Sequence, residues 1–272
     1  MDFLRRFVPL VGQLGTYKRS LLKQDLSAGL TVGVMLIPQG MAYALIAGLP
    51  PIYGLYAALV PLVVYAIFGS SRQLAVGPVA IVSLLVAAGV APLANGNVEA
   101  YIGLALLLSL MVGIIQFGLG LARAGFLTNF LSHPVLSGFT SAAALIIGFS
   151  QLKHLLGIDI PRSNYVHSIL INAIVQTSEI HLATVSIGVA SIVSLLMFGR
   201  WRPSFPSALV VVAATTLLIW ALDLASAGVK IVGDVPGGLP TPVIPAFDID
   251  GVRVLLPAAL TISLVGFVES IA

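Results

Sequence analysis

The sequence contains no cysteine and very few charges. Without cysteine the chain has no disulfide framework, no thiolate metal site and no cysteine nucleophile. Charged residues make up 8% of the 272 residues, whereas a soluble globular domain carries about 25%. So few charges cannot cover the surface of a water-soluble fold, and hydrophobic residues reach 58%. The composition excludes a soluble enzyme, a nucleic-acid binder and a disordered tail, and it predicts an all-α polytopic membrane protein.

Long stretches without Asp, Glu, Lys or Arg mark the membrane spans, each of which needs about 20 apolar residues. They predict eight spans: 26–48, 53–68, 77–93, 101–121, 130–151, 181–199, 205–222 and 254–272. The third span looks short. Residues 1–25 form an N-terminal segment without the apolar region of a signal peptide. Because the last span has no stop signal, we expect the chain to be the N-terminal part of a longer protein.

The distribution of Lys and Arg predicts that the N-terminus is cytoplasmic, in a multi-pass protein of the cell membrane. Nine basic residues then lie inside: Arg5, Arg6, Lys18, Arg19, Lys23, Arg72, Arg123, Arg200 and Arg202. Four lie outside: Lys153, Arg162, Lys230 and Arg253. With this orientation, residues 223–253 form a long outer loop rich in glycine and proline, and residues 153–180 form a second outer connection.

A weak internal repeat relates the first and last spans. At an offset of 230 residues, Ala28-Gly29-Leu30-Thr31 aligns with Ala258-Ala259-Leu260-Thr261, and Gln39 aligns with Glu269. A repeat unit of seven spans is odd in number, so its second copy must be inverted in the membrane. Inverted repeats are typical of secondary transporters that bind substrate near the midplane, between broken helices.

The repeat singles out one polar residue in each copy. Glu269 is the only charged residue inside a predicted span, and a charge there indicates function. Two alternatives to a functional role remain. Glu269 is a neutral glutamic acid that joins helices by hydrogen bonds, or the span ends before residue 269. Gln39 follows Pro38, which is expected to break the helix in mid-span and free a backbone carbonyl. Gln39 is therefore a candidate substrate contact; the alternative is a kink in which it bonds that freed backbone.

The stretch from Leu74 to Ala80 is the third candidate. Proline suits the first turn of a helix, and Pro78 follows Gly77 at the start of the short third span. If this start lies deep in the membrane, it presents free N–H groups and a positive dipole end to an anion. The alternative is an ordinary cytoplasmic loop after Arg72.

Four motifs together resemble the SulP family of anion transporters, solute carrier family 26 in animals. They are Pro38-Gln39-Gly40-Met41-Ala42-Tyr43-Ala44, Pro50-Pro51-Ile52-Tyr53-Gly54-Leu55-Tyr56, Ser70-Ser71-Arg72-Gln73 with Val76-Gly77-Pro78, and Gly233-Asp234-Val235-Pro236 with Gly238-Leu239-Pro240. The match extends over essentially the whole chain.

The resemblance implies a UraA-like fold of seven plus seven inverted spans, of which this chain holds the first repeat and the first helix of the second. It implies core-type spans in 26–121 and 254–272, gate-type spans in 130–222, and a cytoplasmic STAS domain absent from this chain. Carried over by position, Gln39 and Tyr43 line the anion site and Gly77, Pro78 and Val79 open its third-span half. Glu269 occupies the carboxylate position associated with cation or proton coupling.

The expected function is secondary transport of a small inorganic anion, with the core moving against the gate. Sulfate with protons is the first expectation, and Glu269 takes up the proton. Sodium-coupled bicarbonate, chloride or a dicarboxylate, and a non-transporting scaffold, are alternatives. The expected partners are the anion, the coupling ion, the lipid bilayer and a second copy in a homodimer, with no nucleic acid and no cofactor or metal.

Two other classes are weighed against this expectation. An intramembrane enzyme would need its chemistry from His133, His154, His167 or His181, but the sequence contains no HExxH motif. A nucleobase permease shares the fold, but the Pro50–Tyr56 motif argues against it.

Overall fold

The computed structural model describes residues 8–14, 17–71, 74–125, 133–160, 166–201, 206–243, 245 and 247–271. Regular secondary structure in these residues is helical throughout, without strands. The α-helices are α1 (Pro9–Leu14), α2 (Arg19–Ala47), α3 (Pro51–Phe68), α4 (Ala80–Ala94), α5 (Val98–Leu121), α6 (His133–Ser150), α7 (Leu152–Leu156), α8 (Val166–Val175), α9 (Leu182–Trp201), α10 (Ser207–Ala221) and α11 (Ile249–Ile271). A 3₁₀ turn spans Thr177–Glu179.

Each of the eight predicted spans corresponds to a helix. Within the described residues, five helices are long and apolar enough to cross a membrane: α2, α3, α5, α9 and α11. By contrast, α4 and α10 have 15 residues each, which rise only about 22 Å against a hydrocarbon core of about 30 Å. The third span is thus short, as the sequence indicates. The connection predicted over 153–180 contains a further apolar helix, α8, which is too short to register as a span.

Pro38 does not break its helix, so this sequence prediction was wrong. The helix α2 continues from Arg19 to Ala47 with Pro38 inside it, and α3, α4 and α11 likewise contain Pro61, Pro92 and Pro257. Proline removes one backbone donor, but leaving the helix inside hydrocarbon would expose many more unpaired backbone groups. Continuing the helix is therefore the less costly arrangement.

The chain divides into two compact units. The first contains residues 1–133 and 235–272, hence α1–α5 and α11, and the second contains residues 134–234, hence α6–α10. The assignment of the spans to a core and a gate domain stays a prediction.

The first unit is organised around α4. Both α2 and α11 pack against α4, and α5 packs against α4 and α11. The buried cluster where these helices meet contains Val90, Leu107, Leu108, Met111, Leu255, Ala259 and Ile262. The Tyr101 hydroxyl donates to the Ala47 carbonyl at 2.6 Å and fixes the end of α2 against α5.

The second unit packs α9 against α7 and α10. Its small buried cluster consists of Ile158, Ile160 and Ile169. No described residue of α9 is buried, and Trp201 and Trp220, at the ends of α9 and α10, are 77% and 79% exposed. Such apolar outer faces fit a lipid environment, and tryptophans at helix ends are typical of a membrane interface.

Candidate functional site

The structure brings Gln39 and Tyr43 together on α2. The Gln39 Nε2 amide donates to the Tyr43 hydroxyl at 2.9 Å, one helical turn further along. Residues four apart share one helix face, so the two side chains present a joined amide and phenol on that face. Gln39 therefore bonds a side chain rather than the backbone freed by Pro38. Both residues remain predicted substrate contacts.

The residues Gly77, Pro78 and Val79 precede α4 as a non-helical segment. Helix α4 begins at Ala80, three residues after the predicted start of the third span, so Pro78 lies before the first helical turn rather than within it. Val79 is the N-cap in an extended conformation and makes no side-chain cap, and the first helical bond runs from the Ser83 N–H to the Val79 carbonyl. Arg72, a few residues before this segment, lies outside the described residues.

The start of α4 leaves three backbone donors without an intrahelical partner. They belong to Ala80, Ile81 and Val82, because the ladder begins only with Ser83. The same end of the helix carries the positive end of its dipole, equivalent to roughly half an elementary charge. A Cβ at Gly77 would meet nothing within 4 Å, so the backbone there is open to approach. Such a helix start can hold an anion without any charged side chain.

Glu269 lies in the last turn of α11, which extends to Ile271. The helix thus continues past residue 269, and that the membrane span includes this residue stays a prediction. The glutamate side chain is exposed on this chain and makes no hydrogen bond or ion pair with the described residues. Helix α2, which carries Gln39, and helix α11, which carries Glu269, both pack against α4. Helix α4 is therefore their common neighbour.

The sequence repeat has a local structural counterpart. The Thr31 hydroxyl donates to the Ser27 carbonyl at 2.8 Å, and the Thr261 hydroxyl donates to the Pro257 carbonyl at 2.9 Å. Both donors and both acceptors are related by the offset of 230 residues. This fits the proposed alignment, although such a bond to the preceding turn is common for threonine in helices.

Sequence reasoning missed a polar contact between α5 and α11. The Gln116 Nε2 amide donates to the Ser263 carbonyl at 3.4 Å, and the Ser263 hydroxyl donates to the Val112 carbonyl at 3.5 Å. Ser263 is fully buried, and Gly266 leaves room for the Gln116 amide. The sequence did contain a signal for this contact. Gln116 is a lone amide within a predicted span, where polar side chains commonly join helices by hydrogen bonds.

A second group of polar contacts that the sequence did not reveal surrounds His181. The Nε2 atom of His181 lies 3.0 Å from the Ala227 carbonyl, and its Nδ1 atom lies 2.8 Å from the Thr184 hydroxyl. Nearby, the Lys230 ammonium donates to the Asp159 carboxylate at 2.6 Å. This bond, with the charge of Lys230, lowers the pKa of Asp159 below its ordinary value. These contacts join segments far apart in the sequence, which no local pattern could predict.

Among the described residues there is no group of three or more His, Asp or Glu side chains that could hold a metal ion. The arrangement at α4 instead offers neutral donors. Chemically, such donors can hold a small anion through hydrogen bonds.

Comparisons with known proteins agree with this architecture. "Sulfate transporter 4.1, chloroplastic" of Arabidopsis thaliana is 42% identical over 279 residues, covering all of this chain and 40% of the relative. The solved structure of the transporter SLC26A9 superposes with a TM-score of 0.88 at 28% identity, covering 98% of this chain and 46% of that one. The transmembrane domain of a cyanobacterium bicarbonate transporter, BicA, superposes with a TM-score of 0.80 at 22% identity, covering 93% and 64%, which indicates a shared fold.

The helices and these structures define a multi-pass membrane protein with the UraA-like transporter fold, which confirms the predicted fold class. The model of the sulfate permease family matches residues 22–272. The chain belongs to this family, so the resemblance found in the sequence is confirmed and the enzyme alternative is excluded. The chain spans less than half the length of the Arabidopsis relative and of the SLC26A9 chain.

Proposed function

We propose that this chain belongs to a secondary carrier of a small inorganic anion, with sulfate as the first candidate. The sulfate permease family and the Arabidopsis sulfate transporter support this choice of anion. Bicarbonate is the second candidate, because a transporter with the same fold carries it in its name.

The observation that carries the proposal is the uncapped start of α4. Its three free N–H groups follow the open Gly77 backbone, and the helix packs against α2, which bears the Gln39–Tyr43 pair. In the proposed site the N–H groups bind the anion, aided by Gly77, Pro78 and Val79, while Gln39 and Tyr43 contribute polar contacts. Because these donors carry no full charge, the anion can leave as readily as it binds, as a carrier requires.

Glu269 is the proposed coupling residue. In this scheme the carboxylate takes up a proton when the anion binds, which reduces the net charge that crosses the membrane. Sodium bound to the same carboxylate is the alternative. The exposed position of Glu269 on α11, without a partner among the described residues, leaves it accessible to either ion.

The proposed setting is the cell membrane, with the N-terminus in the cytoplasm and two copies forming a homodimer. The excess of Lys and Arg on the N-terminal side supports this orientation. The core-type helices are proposed to move against the gate-type helices during transport.

The test is uptake of radiolabelled sulfate into liposomes that contain the protein at its full natural length, with and without an inward proton gradient. We expect the gradient to increase uptake, and Glu269→Gln to abolish that increase. If Glu269→Gln transports with unchanged proton dependence, the coupling role is wrong. If a sodium gradient drives bicarbonate uptake and a proton gradient does not drive sulfate uptake, bicarbonate and sodium replace sulfate and protons as the proposed substrate and coupling ion. If no anion moves, the fold serves as a scaffold.

A further inference from the structure

The second unit contains a cavity that none of the roles discussed above uses. Its volume is 180 Å³, enough for a small hydrated ion. It is lined by Lys153, His154, Gly157, Ile158, Asp159, Thr184 and Lys230. These residues come from α7 and the turn after it, from the first turn of α9, and from the segment after α10. Three segments distant in sequence therefore converge on one depression.

The ring and the backbone of His181 together join the three segments. A carbonyl can only accept a hydrogen bond, so Nε2 carries the proton donated to Ala227 and Nδ1 accepts from the Thr184 hydroxyl. The backbone N–H of His181 also donates to the Leu156 carbonyl at 3.0 Å. The wall of the cavity is thus built by hydrogen bonds within the protein, before any ligand arrives.

Two glycines allow the neighbouring turns to pack closely against His181. Gly157 and Gly228 have φ values of 74° and 95°, a conformation that other residues rarely adopt. A Cβ at Gly157 would lie 2.9 Å from the His181 Cβ, and one at Gly228 would lie 3.2 Å from Nε2. Both turns can therefore approach the ring only as glycine.

The lining carries an excess of positive charge. The sequence contains four lysines, and two of them, Lys153 and Lys230, line this cavity. Among the described lining residues Asp159 alone carries a carboxylate, and it pairs with Lys230. The side chains of Lys230 and Asp159 are 62% and 90% exposed, so water competes with their bond and the pair is weak. An incoming anion can displace Asp159 from Lys230 at little cost.

We propose that this cavity binds a small inorganic oxyanion of the sulfate class through Lys153 and Lys230, with Asp159 as an internal competitor. In the predicted topology, the cavity lies on the outer side of the membrane. It is separate from the anion site proposed at α4, and the inference does not rest on the proposed transport function.

The test uses the protein at its full natural length in lipid nanodiscs, with its lysine side chains isotopically labelled for NMR and the signals of the four lysines of this sequence assigned. Sulfate replaces chloride at constant ionic strength. We expect the Lys153 and Lys230 signals to shift and saturate at roughly millimolar sulfate, as suits an exposed site. Lys18 and Lys23, near the N-terminus, serve as internal controls. If all four signals shift alike without saturating, or if none shifts, the site does not exist.

Substitution of Asp159 distinguishes a competitor for the anion from a purely structural partner of Lys230. Asp159→Asn removes the competitor, so sulfate should bind about two- to fivefold more tightly, the range expected for an exposed ion pair. A purely structural pair predicts equal or weaker binding instead, and that result would overturn the proposal. Asp234→Asn, which removes a carboxylate outside the cavity lining, is the matched control. Lys153→Gln combined with Lys230→Gln should remove the contribution of the cavity to the sulfate binding measured by calorimetry and leave binding at the α4 site unchanged.

The two anion proposals can fail separately. If Tyr43→Phe impairs sulfate uptake but leaves the lysine shifts unchanged, the cavity is independent of the transport site. If the lysines show no saturable shift while uptake continues, only the cavity proposal is rejected.

Discussion

Gly54 lies directly against the backbone of Gly40, at the point where α3 crosses α2. A Cβ at Gly54 would overlap the Gly40 carbonyl oxygen, and a Cβ at Gly40 would lie 3.0 Å from the Gly54 carbonyl oxygen. These two glycines stand in the middle of the two most distinctive sequence motifs. Part of what those motifs encode is therefore close contact between two helix backbones, which small residues permit in membranes.

Gly54→Ala should destabilise the protein. The added methyl group meets backbone rather than a movable side chain, so α2 and α3 have to separate. We expect a loss of about 1–3 kcal/mol in the free energy of unfolding, the usual cost of overpacking. Unfolding in mixed micelles with increasing SDS measures this change.

Gly103→Ala in α5 is the control for that substitution. A Cβ at Gly103 would meet nothing within 4 Å, so alanine there only improves helix propensity, by up to about 1 kcal/mol. If Gly54→Ala is as stable as Gly103→Ala, the two helices do not cross as described.

The start of α4 shows how far the sequence could predict the site. Pro78 and the short apolar run after it locate the start of α4 to within three residues, because proline restricts the backbone locally. Pro38 misled the same reasoning, since whether a proline ends a helix depends on the cost of exposing backbone to hydrocarbon. The local sequence shows that proline restricts the backbone, but it does not show the free-energy cost of exposing backbone groups to hydrocarbon.

Contacts between distant residues were beyond the sequence. Gln39 and Tyr43 are four apart on one helix, so their spacing alone suggests that they meet. Gln116 and Ser263 are 147 residues apart, and Asp159 and Lys230 are 71 apart. Such pairs depend on how whole helices pack, and one sequence without related sequences contains no direct record of them.

Tyr43→Phe should weaken anion binding. The substitution removes the hydroxyl that accepts the Gln39 amide at 2.9 Å, so the amide loses its fixed orientation. One neutral hydrogen bond contributes about 0.5–1.5 kcal/mol, and we therefore expect the KM for sulfate uptake to rise about two- to twelvefold. Initial uptake rates over a range of sulfate concentrations measure this change.

Tyr53→Phe is the matched control, because it removes the same hydroxyl from a tyrosine in α3. Its ring packs edge-to-face against Tyr56, with centroids 6.1 Å apart, and phenylalanine preserves that contact. Equal KM values for the two variants would contradict the role of the Gln39–Tyr43 pair.

The Asp159–Lys230 pair should make stability depend on acidic pH. The pKa of Asp159 is lower in the folded protein than in the unfolded chain, so the unfolded chain binds more protons in the intervening range. The stabilising contribution is therefore complete above the ordinary carboxyl pKa near 3.8 and is lost as the pH falls through the lowered value. The measurement is the difference in stability between the wild type and Asp159→Asn as a function of pH.

That difference should be small, favour the wild type at pH 6, and disappear in strongly acidic solution. High salt should also reduce it at pH 6, because the pair is exposed to solvent. A difference that grows as the pH falls would show that the pair does not form.

Gly266 and Gln116 should be energetically coupled across α5 and α11. A Cβ at Gly266 would lie 2.6 Å from the Gln116 Nε2, so Gly266→Ala forces the amide away from the Ser263 carbonyl. Because a side chain can rotate whereas a backbone cannot, this substitution should cost less than Gly54→Ala. We expect Gly266→Ala to destabilise the wild type by about 0.5–1.5 kcal/mol, the value of one hydrogen bond.

In the Gln116→Ala background the same substitution should cost nothing, since the obstructing amide is absent. The double-mutant cycle should therefore give a coupling energy of about 0.5–1.5 kcal/mol, measured by SDS unfolding. Gly113→Ala, where a Cβ would meet nothing within 4 Å, should show no coupling to Gln116 and corrects for helix propensity. Zero coupling for Gly266 would mean that the amide does not lie against α11. A positive result would link α5 to the helix that carries Glu269, since Gly266 and Glu269 are three residues apart on α11.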